Sequence, residues 1–245
     1  MTFHDHFSTA SAGYARHRPR YPDALFAWLA DRAPARTLAV DVATGNGQAA
    51  TALARHFSRV LAFDASAAQI AEAEPAERVS YAVAPAEAIP LPDAGTDCLT
   101  VAQALHWFEL PAFYTEARRV LRPGGLAAAW TYNRLTVTPA IDAVVEHLYA
   151  DLLGSDWPGE RHHVETGYRE LPFPFERLAP PAFSMAADWS CNDLLGYLGT
   201  WSAVKRHRTR TGRDPLAAVA TDLRTAFGDG IRPVHWPLAM LAGHR

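Results

Sequence analysis

The sequence is poor in cysteine, lysine and long apolar runs, and each scarcity removes a class of function. Two cysteines, Cys98 and Cys191, in 245 residues can build neither a disulfide framework nor a Cys-rich zinc site. Of 23 basic residues only Lys205 is a lysine, so Schiff-base chemistry has a single candidate. No stretch reaches the roughly 18 consecutive apolar residues of a membrane span. The segment Met1–Ala12 is polar and has no apolar core, so no secretory leader is expected there, and a reducing, cytoplasmic setting is the expectation. There is no basic excess either. Lys and Arg number 23 against 26 Asp and Glu, a net charge of −3, which argues against a dedicated nucleic-acid binder. A Gly-x-Ser-x-Gly nucleophile elbow is absent, which removes hydrolase chemistry of that kind. His162 and His163 have no Cys/His set at metal spacing, so no metal site is expected.

What remains is ordinary globular composition, 49% hydrophobic, 20% charged and 11% aromatic, in a length that suits one domain. Leu25, Phe26, Trp28 and Leu29 recur at helical spacing after Asp23. From residue 37 short apolar runs alternate with helical ones. Strands are predicted over 37–43, 60–64, 79–83, 98–103 and 126–132. Helices are predicted over 48–57, 67–73 and 110–121, with Ser66 as a cap and Pro123-Gly124-Gly125 as a stop. Beyond 133 the spacing predicts helices over 141–153, 192–204 and 215–227, and an irregular insertion over 154–190 with one strand. A last strand over 231–241 carries Pro233 and Pro237, which places it at an edge. Strands alternating with helices mean parallel βαβ units in a doubly wound α/β sheet with helices on both faces. Ligands of such sheets sit beyond the carboxyl ends of the strands. The informative loops are therefore 43–48, 64–66, 84–92 and 103–109.

The first of these is glycine-rich. Gly45-Asn46-Gly47 follows a strand and opens a helix, where glycine allows positive φ and close approach of a ligand and helix N-terminal amides favour negative groups. Asp64 ends the next strand, about 20 residues on, where an acid accepts hydrogen bonds from ribose hydroxyls. Gly45-x-Gly47-x-x-Ala50 fits a dinucleotide fingerprint, hence an NAD-linked oxidoreductase. The same stretch reads Asp41-x-Ala43-x-Gly45-x-Gly47, which resembles the D-x-G-x-G-x-G motif of class I S-adenosylmethionine (SAM) methyltransferases, with Ala43 in place of the first glycine.

Three more segments carry that resemblance in the right order. Val83 to Asp93 resembles the family's adenine-side loop, Gln103-Ala104-Leu105-His106-Trp107-Phe108 its segment after strand four, and Arg119 to Gly125 the turn before strand five. In detail the chain is similar to the type 11 group that includes trans-aconitate methyltransferase-like proteins, through Arg18-Pro19-x-Tyr21-Pro22, Ala104–Phe108 and Thr200–Val204. The resemblance implies a Rossmann-like sheet of about seven strands. It divides the chain into a cofactor-binding core over 33–135, an N-terminal arm or lid over 1–32 and a substrate-side segment over 136–245. It implies SAM as methyl donor, S-adenosylhomocysteine (SAH) as product, and no metal.

The resemblance also places residues. Asp41 lies behind the turn near the methionine ammonium. Ala43, Gly45 and Gly47 line methionine and ribose, Asp64 holds the ribose, and Ala65 packs on adenine. The adenine contact that an Asp makes in relatives falls here to Ala86 and Glu87, because Pro85 stands at that position. Gln103 meets the methionine moiety. Beyond the resemblance, Tyr14, Arg16, Arg18 and Tyr21 either fold over the cofactor, where an Arg clamps the carboxylate of SAM or of an acidic substrate, or form a solvated N-terminal arm. Tyr21, Trp107, Phe108, Tyr132 and Trp201 face the substrate; aromatic walls suit a sulfonium. His106 is the catalytic candidate, as a base near neutrality, or else a packing histidine. The run Lys205–Arg210 is either a solvated helix end or a field that attracts an anion. The expected function is transfer of the SAM methyl group to a small molecule, a small organic carboxylate foremost, with no nucleic-acid or membrane partner. The alternatives are the NAD-linked oxidoreductase and a SAM binder without catalysis.

Overall fold

The computed structural model describes residues 19–245. Tyr14, Arg16 and Arg18 lie outside them. The first half alternates as its apolar runs dictate: α1 (Asp23–Arg32), β1 (Leu38–Val42), α2 (Gln48–Leu53), β2 (Arg59–Asp64), α3 (Ala67–Ala71), β3 (Val79–Val83), β4 (Thr96–Ala102), a 3-10 turn over Leu105–Trp107, α4 (Leu110–Val120) and β5 (Leu121–Tyr132). Then come α5 (Pro139–Glu146), a π-helical continuation over His147–Leu152, a 3-10 turn over Gly154–Asp156, and α6 (Arg161–Glu165). The last elements are β6 (Glu176–Arg177), β7 (Phe183–Trp189), α7 (Cys191–Gly199), α8 (Ser202–Thr211), α9 (Pro215–Phe227) and β8 (Arg232–His244). β1 to β5 are mutually parallel, in the order β3-β2-β1-β4-β5. β8 joins β5 antiparallel.

The sheet has eight strands rather than seven, and the difference lies at β8. Leu238 pairs both with Tyr132 of β5 and with Phe183 of β7, so β7 runs along the face of β8 that β5 leaves open. β6 pairs with Gly243 and His244 on that same side. β8 is therefore an interior strand, not the edge that its prolines suggest. His235 exchanges both backbone hydrogen bonds with Thr136, so its polar groups point away from β7. Peptide groups alternate in direction along a strand, and Pro233 and Pro237 share the parity of His235. Their missing N–H groups cost the β7 ladder nothing.

Other boundaries shift for local reasons. α2 and α3 end at Leu53 and Ala71, before the expected 57 and 73. α4 ends at Val120, and Leu121 is already extended (φ −68°, ψ 138°), so the chain passes straight into β5 without using the glycines as a stop. The expected helix over 192–204 is two, broken at Thr200 and Trp201, with a Ser190–Asp193 capping box at its start.

Three apolar clusters hold the layers. One face of the sheet packs Leu99, Val101 and Ala127 against Phe113 and Ala117 of α4, with Tyr168, Phe173 and Phe175 beyond. The other packs Val60, Cys98 and Trp130 against Leu25, Phe26 and Leu29 of α1 and Leu53 of α2. The third draws its buried members from residue 132 onward, with Leu148, Leu198, Leu223 and Phe227 around Trp236. At the amino ends of the strands, buried Asp97 accepts from the Thr37 and Leu38 amides, both at 2.8 Å, and pairs with Arg122 at 2.8 Å. That end is stapled shut, and a ligand of such a sheet sits beyond the carboxyl ends.

Candidate functional site

The candidate site begins at the β1–α2 turn. Ala43 takes φ +55°, Gly45 φ +57° and Gly47 φ +86°, so the backbone keeps the left-handed shape that the missing first glycine would ease. Strain of roughly 1–2 kcal/mol at Ala43 is the cost. Thr44 N–H donates to Phe63 C=O (2.9 Å), and Gly45 N–H to Asp64 Oδ2 (2.8 Å). Asp64 Oδ1 accepts from Ser66 N–H (2.8 Å). One carboxylate therefore ties the glycine turn to the end of β2. Two acceptor positions on its oxygens go to these amides. A Cβ at Gly47 would lie 2.2 Å from Tyr81 Oη, whose hydroxyl donates to Glu74 C=O (2.8 Å). Glycine is required there by the tyrosine ring as well as by φ.

Asp41 is fully buried below this turn. It accepts from Thr44 Oγ1 (2.6 Å) and Thr100 Oγ1 (2.8 Å). Burial pushes its carboxyl up to about 6 against these two bonds, with the nearby Asp64 charge adding to the rise. Its partners are hydroxyls of the fold and the Ala50 backbone, so it shapes the turn from beneath.

Asp64 and Val83 are register partners at the ends of β2 and β3. Val83 is 54% exposed, an uncovered apolar side chain beside the acid. Ala65, half-buried, follows Asp64. An acid flanked by bare apolar surface suits a nucleoside: hydroxyls to the carboxylate, a base ring against Val83. Sequence reasoning passed over Val83, because a valine within a strand carries no signal until its exposure is known. Across the loop, the Ala86 side chain is buried in the core, and Glu87 Oε1 accepts from Glu109 N–H (3.2 Å).

At the end of β4, Gln103 has φ +59°. Its amide donates to Tyr132 C=O (3.1 Å) and accepts from Thr131 Oγ1 (2.5 Å). The side chain is thus spoken for by β5. His106 Nδ1 lies 2.9 Å from Tyr168 Oη, and its ring centroid is 4.7 Å from that of Trp107. Burial, then the charges of Arg161 and His163, push the imidazole down to about 3. His106 is neutral at physiological pH and far from the poise of a general base. Trp107 and Phe108 are half-buried against the core beneath them. Tyr21 packs edge-on to Trp130 (5.5 Å), and Gln48 Nε2 donates to Pro19 C=O (3.1 Å). The described part of the N-terminal arm is therefore fastened over the start of α2.

Tyr132 is nearly buried in the third cluster, and Trp201 is partly buried against it. Trp201 belongs to an aromatic group with Trp157 (5.5 Å) and Tyr149 (5.8 Å). Arg161 lies over this group, its guanidinium carbon 4.7 Å from the Trp157 ring centroid and 5.5 Å from that of Tyr149. Trp157 stood out only as one aromatic among many in the insertion, and nothing in the spacing marked Arg161 or Tyr149. The basic run proves structural. Arg210 grips buried Asp156 through two bonds (2.8 and 2.7 Å), joined by His207 Nδ1 (2.9 Å), and Arg208 pairs with Asp214 (3.0 Å). Arg210 and His207 hold the Asp156 carboxyl down at about 2.

Among the described residues no group of three or more His, Cys, Asp and Glu side chains is placed to hold a metal ion, and no helix is long and apolar enough to cross a membrane.

Comparison with known proteins agrees with this geometry. The sequence pattern of a methyltransferase domain matches residues 40–129, the span from β1 to β5. A protein of Dictyostelium discoideum described as a candidate methyltransferase is 34% identical, covering 98% of this chain and 94% of its own. An uncharacterised methyltransferase of Mycobacterium tuberculosis H37Rv is 36% identical over 126 residues, 51% of each chain. A solved structure from Anaeromyxobacter dehalogenans, described as a candidate type II methyltransferase, superposes with a TM-score of 0.89 at 53% identity, covering 93% of this chain and 97% of that one.

Proposed function

We propose that this protein, which belongs to the class I SAM-dependent methyltransferase family, methylates a small organic acid on a carboxylate oxygen. Family membership sets aside the oxidoreductase and the non-catalytic binder. The acceptor reading rests chiefly on His106. It is the one titratable side chain of the 103–109 loop aimed into the packing around Tyr168, and it is held neutral and tied at Nδ1. A hydroxyl or amine acceptor needs a base tuned near the working pH. A carboxylic acid, with an ordinary pKa near 4, arrives already ionised.

When bound, SAM supplies an electrophilic methyl on a sulfonium; the C–S bond breaks as the O–C bond forms, and its electron pair stays on sulfur. The chain's part is alignment, which can be worth several powers of ten in rate. In this reading residues 33–135 form the cofactor platform. Gly45 and Gly47 admit the cofactor close to the backbone, Asp64 accepts from the ribose, and Val83, Ala65 and the Ala86–Glu87 loop flank the adenine. Asp41 braces the turn from below, and Gln103 limits the methionine end. The arm over 1–32, with Tyr14 and Arg18, and the segment over 136–245, with Tyr132 and Trp201, enclose the acceptor beside Tyr21, Trp107 and Phe108.

A metabolite library incubated with methyl-labelled SAM tests the acceptor. Label released by mild base, as from a methyl ester, supports it. Label confined to base-stable N-, C- or S-methyl products overturns it.

A further inference from the structure

Tyr168 is strained where nothing in its own segment requires it. α6 ends in a Schellman arrangement: Gly167 N–H donates to Val164 C=O (3.0 Å) and Tyr168 N–H to His163 C=O (2.8 Å), with Gly167 left-handed at φ +61°. That motif needs one left-handed residue, and glycine supplies it. Tyr168 follows with φ +62° of its own, a conformation that costs an L side chain roughly 1–2 kcal/mol. The result is a fully buried tyrosine whose hydroxyl reaches from the segment after β5 to the turn after β4. Its oxygen accepts there from the Leu105 and His106 amides, N–H groups at the start of a helical turn that have no partner within it. The same oxygen lies 2.9 Å from His106 Nδ1. Strain of this kind persists where the surrounding structure over-determines a geometry, often at a functional site.

The bond to Tyr168 fixes which ring nitrogen of His106 carries the hydrogen. Burial pushes the phenol up, so it keeps its proton and has one to give. Its oxygen already accepts from two amides, so Nδ1 cannot also donate to it. Thr131 lies against the phenol too, but it gives its own hydrogen to Gln103 Oε1. As an acceptor, a hydroxyl oxygen is weaker than a bare imidazole nitrogen. Tyr168 O–H therefore donates to Nδ1, and the neutral ring carries its hydrogen on Nε2. Among the described residues Nε2 has no partner, and unlike His163 Nδ1 it is not shut away from solvent. It is an open donor. β4 and β1 are neighbours, so this donor stands on the same side of the sheet as the Ala43–Gly47 turn, at the carboxyl ends of the strands.

We propose that His106 holds the acceptor through its Nε2–H and takes no proton from it, with Tyr168 as the residue that positions the imidazole and sets its tautomer. On the acid-acceptor reading, on which this builds, the donor goes to the carboxylate oxygen that becomes the ester carbonyl. The other oxygen attacks. Its lone pair forms the O–C bond, the C–S bond breaks, and the electron pair of that bond stays on sulfur. The carbonyl oxygen still accepts from Nε2–H afterwards, and His106 is neutral before and after.

Two measurements test this. The first reads the tautomer by proton–nitrogen correlation spectra of the protein with isotopically labelled histidine. One imidazole, identified by its loss in His106→Gln, should show a bare Nδ1 and a protonated Nε2, and Tyr168→Phe should turn it into a mixture of tautomers. An Nδ1–H form in the wild type, or the same single form in Tyr168→Phe, refutes the assignment. The second compares variants with native circular dichroism and unchanged SAM affinity, on the acceptor found with methyl-labelled SAM. Glutamine places an amide N–H near Nε2, whereas leucine fills the space with no donor. His106→Leu should raise KM roughly 10- to 100-fold, the worth of a bond to a charged partner. His106→Gln should raise it much less and Tyr168→Phe by an intermediate amount, with kcat changed less than KM in each. His106→Ala serves if the leucine variant does not fold. A base would make both His106 variants collapse in kcat, and a packing histidine would make leucine harmless; either result refutes the donor. If mild base releases the label while leucine is harmless, the acid acceptor stands and the donor falls. If the label is base-stable, the acid acceptor falls, and the leucine–glutamine comparison on that product decides the donor by itself.

Discussion

Asp41 makes the protein less stable at neutral pH than in mild acid. Its carboxyl titrates at about 6 in the fold against an ordinary value of 3.8. Between those values the folded state holds a proton that the unfolded state has released, so stability falls as pH rises. The contribution is most favourable below 3.8 and is lost as pH climbs through about 6. At roughly 1.4 kcal/mol per pH unit, the gap amounts to about 3 kcal/mol. That is a sizeable part of the roughly 5–15 kcal/mol total of a typical domain. The assay is urea denaturation in half-unit steps from pH 4 to 8, on the wild type and on Asp41→Asn. The amide Oδ1 can still accept from Thr100, and the Thr44 hydroxyl can turn to accept from Nδ2, so the variant should fold. The mutant should lose the downward slope between pH 4 and 6, and the difference between the two curves should widen by about 3 kcal/mol across that window. Other carboxylates, such as Asp156 with its depressed value, titrate in both proteins and cancel. Parallel curves would refute the account of Asp41 as a strained, buried charge.

Asp64→Ala should weaken SAM binding by roughly 1.5–3 kcal/mol in calorimetry, the worth of charge-assisted hydrogen bonds; unchanged affinity in a folded variant would remove Asp64 from the site. His106→Gln should lower the rate less than the roughly 10²–10⁴-fold typical of a lost base, and the wild-type rate should stay flat from pH 6 to 8. A rising limb near 6.5 would return His106 to the role of base. EDTA should leave turnover unchanged, and loss of activity would show a metal requirement. Gly47→Ala should fail to bind SAM, because its Cβ would meet Tyr81; Gly47→Ala with Tyr81→Ala should recover part of the binding if the ring is the main obstacle.

The parallel half of the fold could be read from sequence because each βα unit is local. A short apolar run, a turn residue and an amphipathic stretch sit within about thirty residues, so the positions of Asp41, Gly45, Gly47 and Asp64 at strand ends and turns could be read. The segment after β5 resists that reading because its contacts are distant. The prolines of β8 are harmless only through Thr136, and His207 and Arg210 of the cationic run are held by Asp156, some fifty residues earlier. His106 illustrates the converse: its residue type promised a base, and burial beside Arg161 and Tyr168 took the proton away.

The place of β8 also bears on how the molecule assembles and varies. Its 238–244 half seals β5 and its 232–238 half carries β7, so everything from α5 to α9 is strung between two neighbouring strands. Such non-local pairing forms late and slowly, and until it forms, β5 presents a bare edge that other chains can join. Once formed, it makes the intervening segment a closed loop whose length matters little, since doubling a loop costs only about 0.6 kcal/mol in closure entropy. Tyr149, Trp157, Arg161 and Trp201 all ride on that loop. That segment can therefore lengthen or change at little cost in closure entropy while the β1–β5 platform stays fixed.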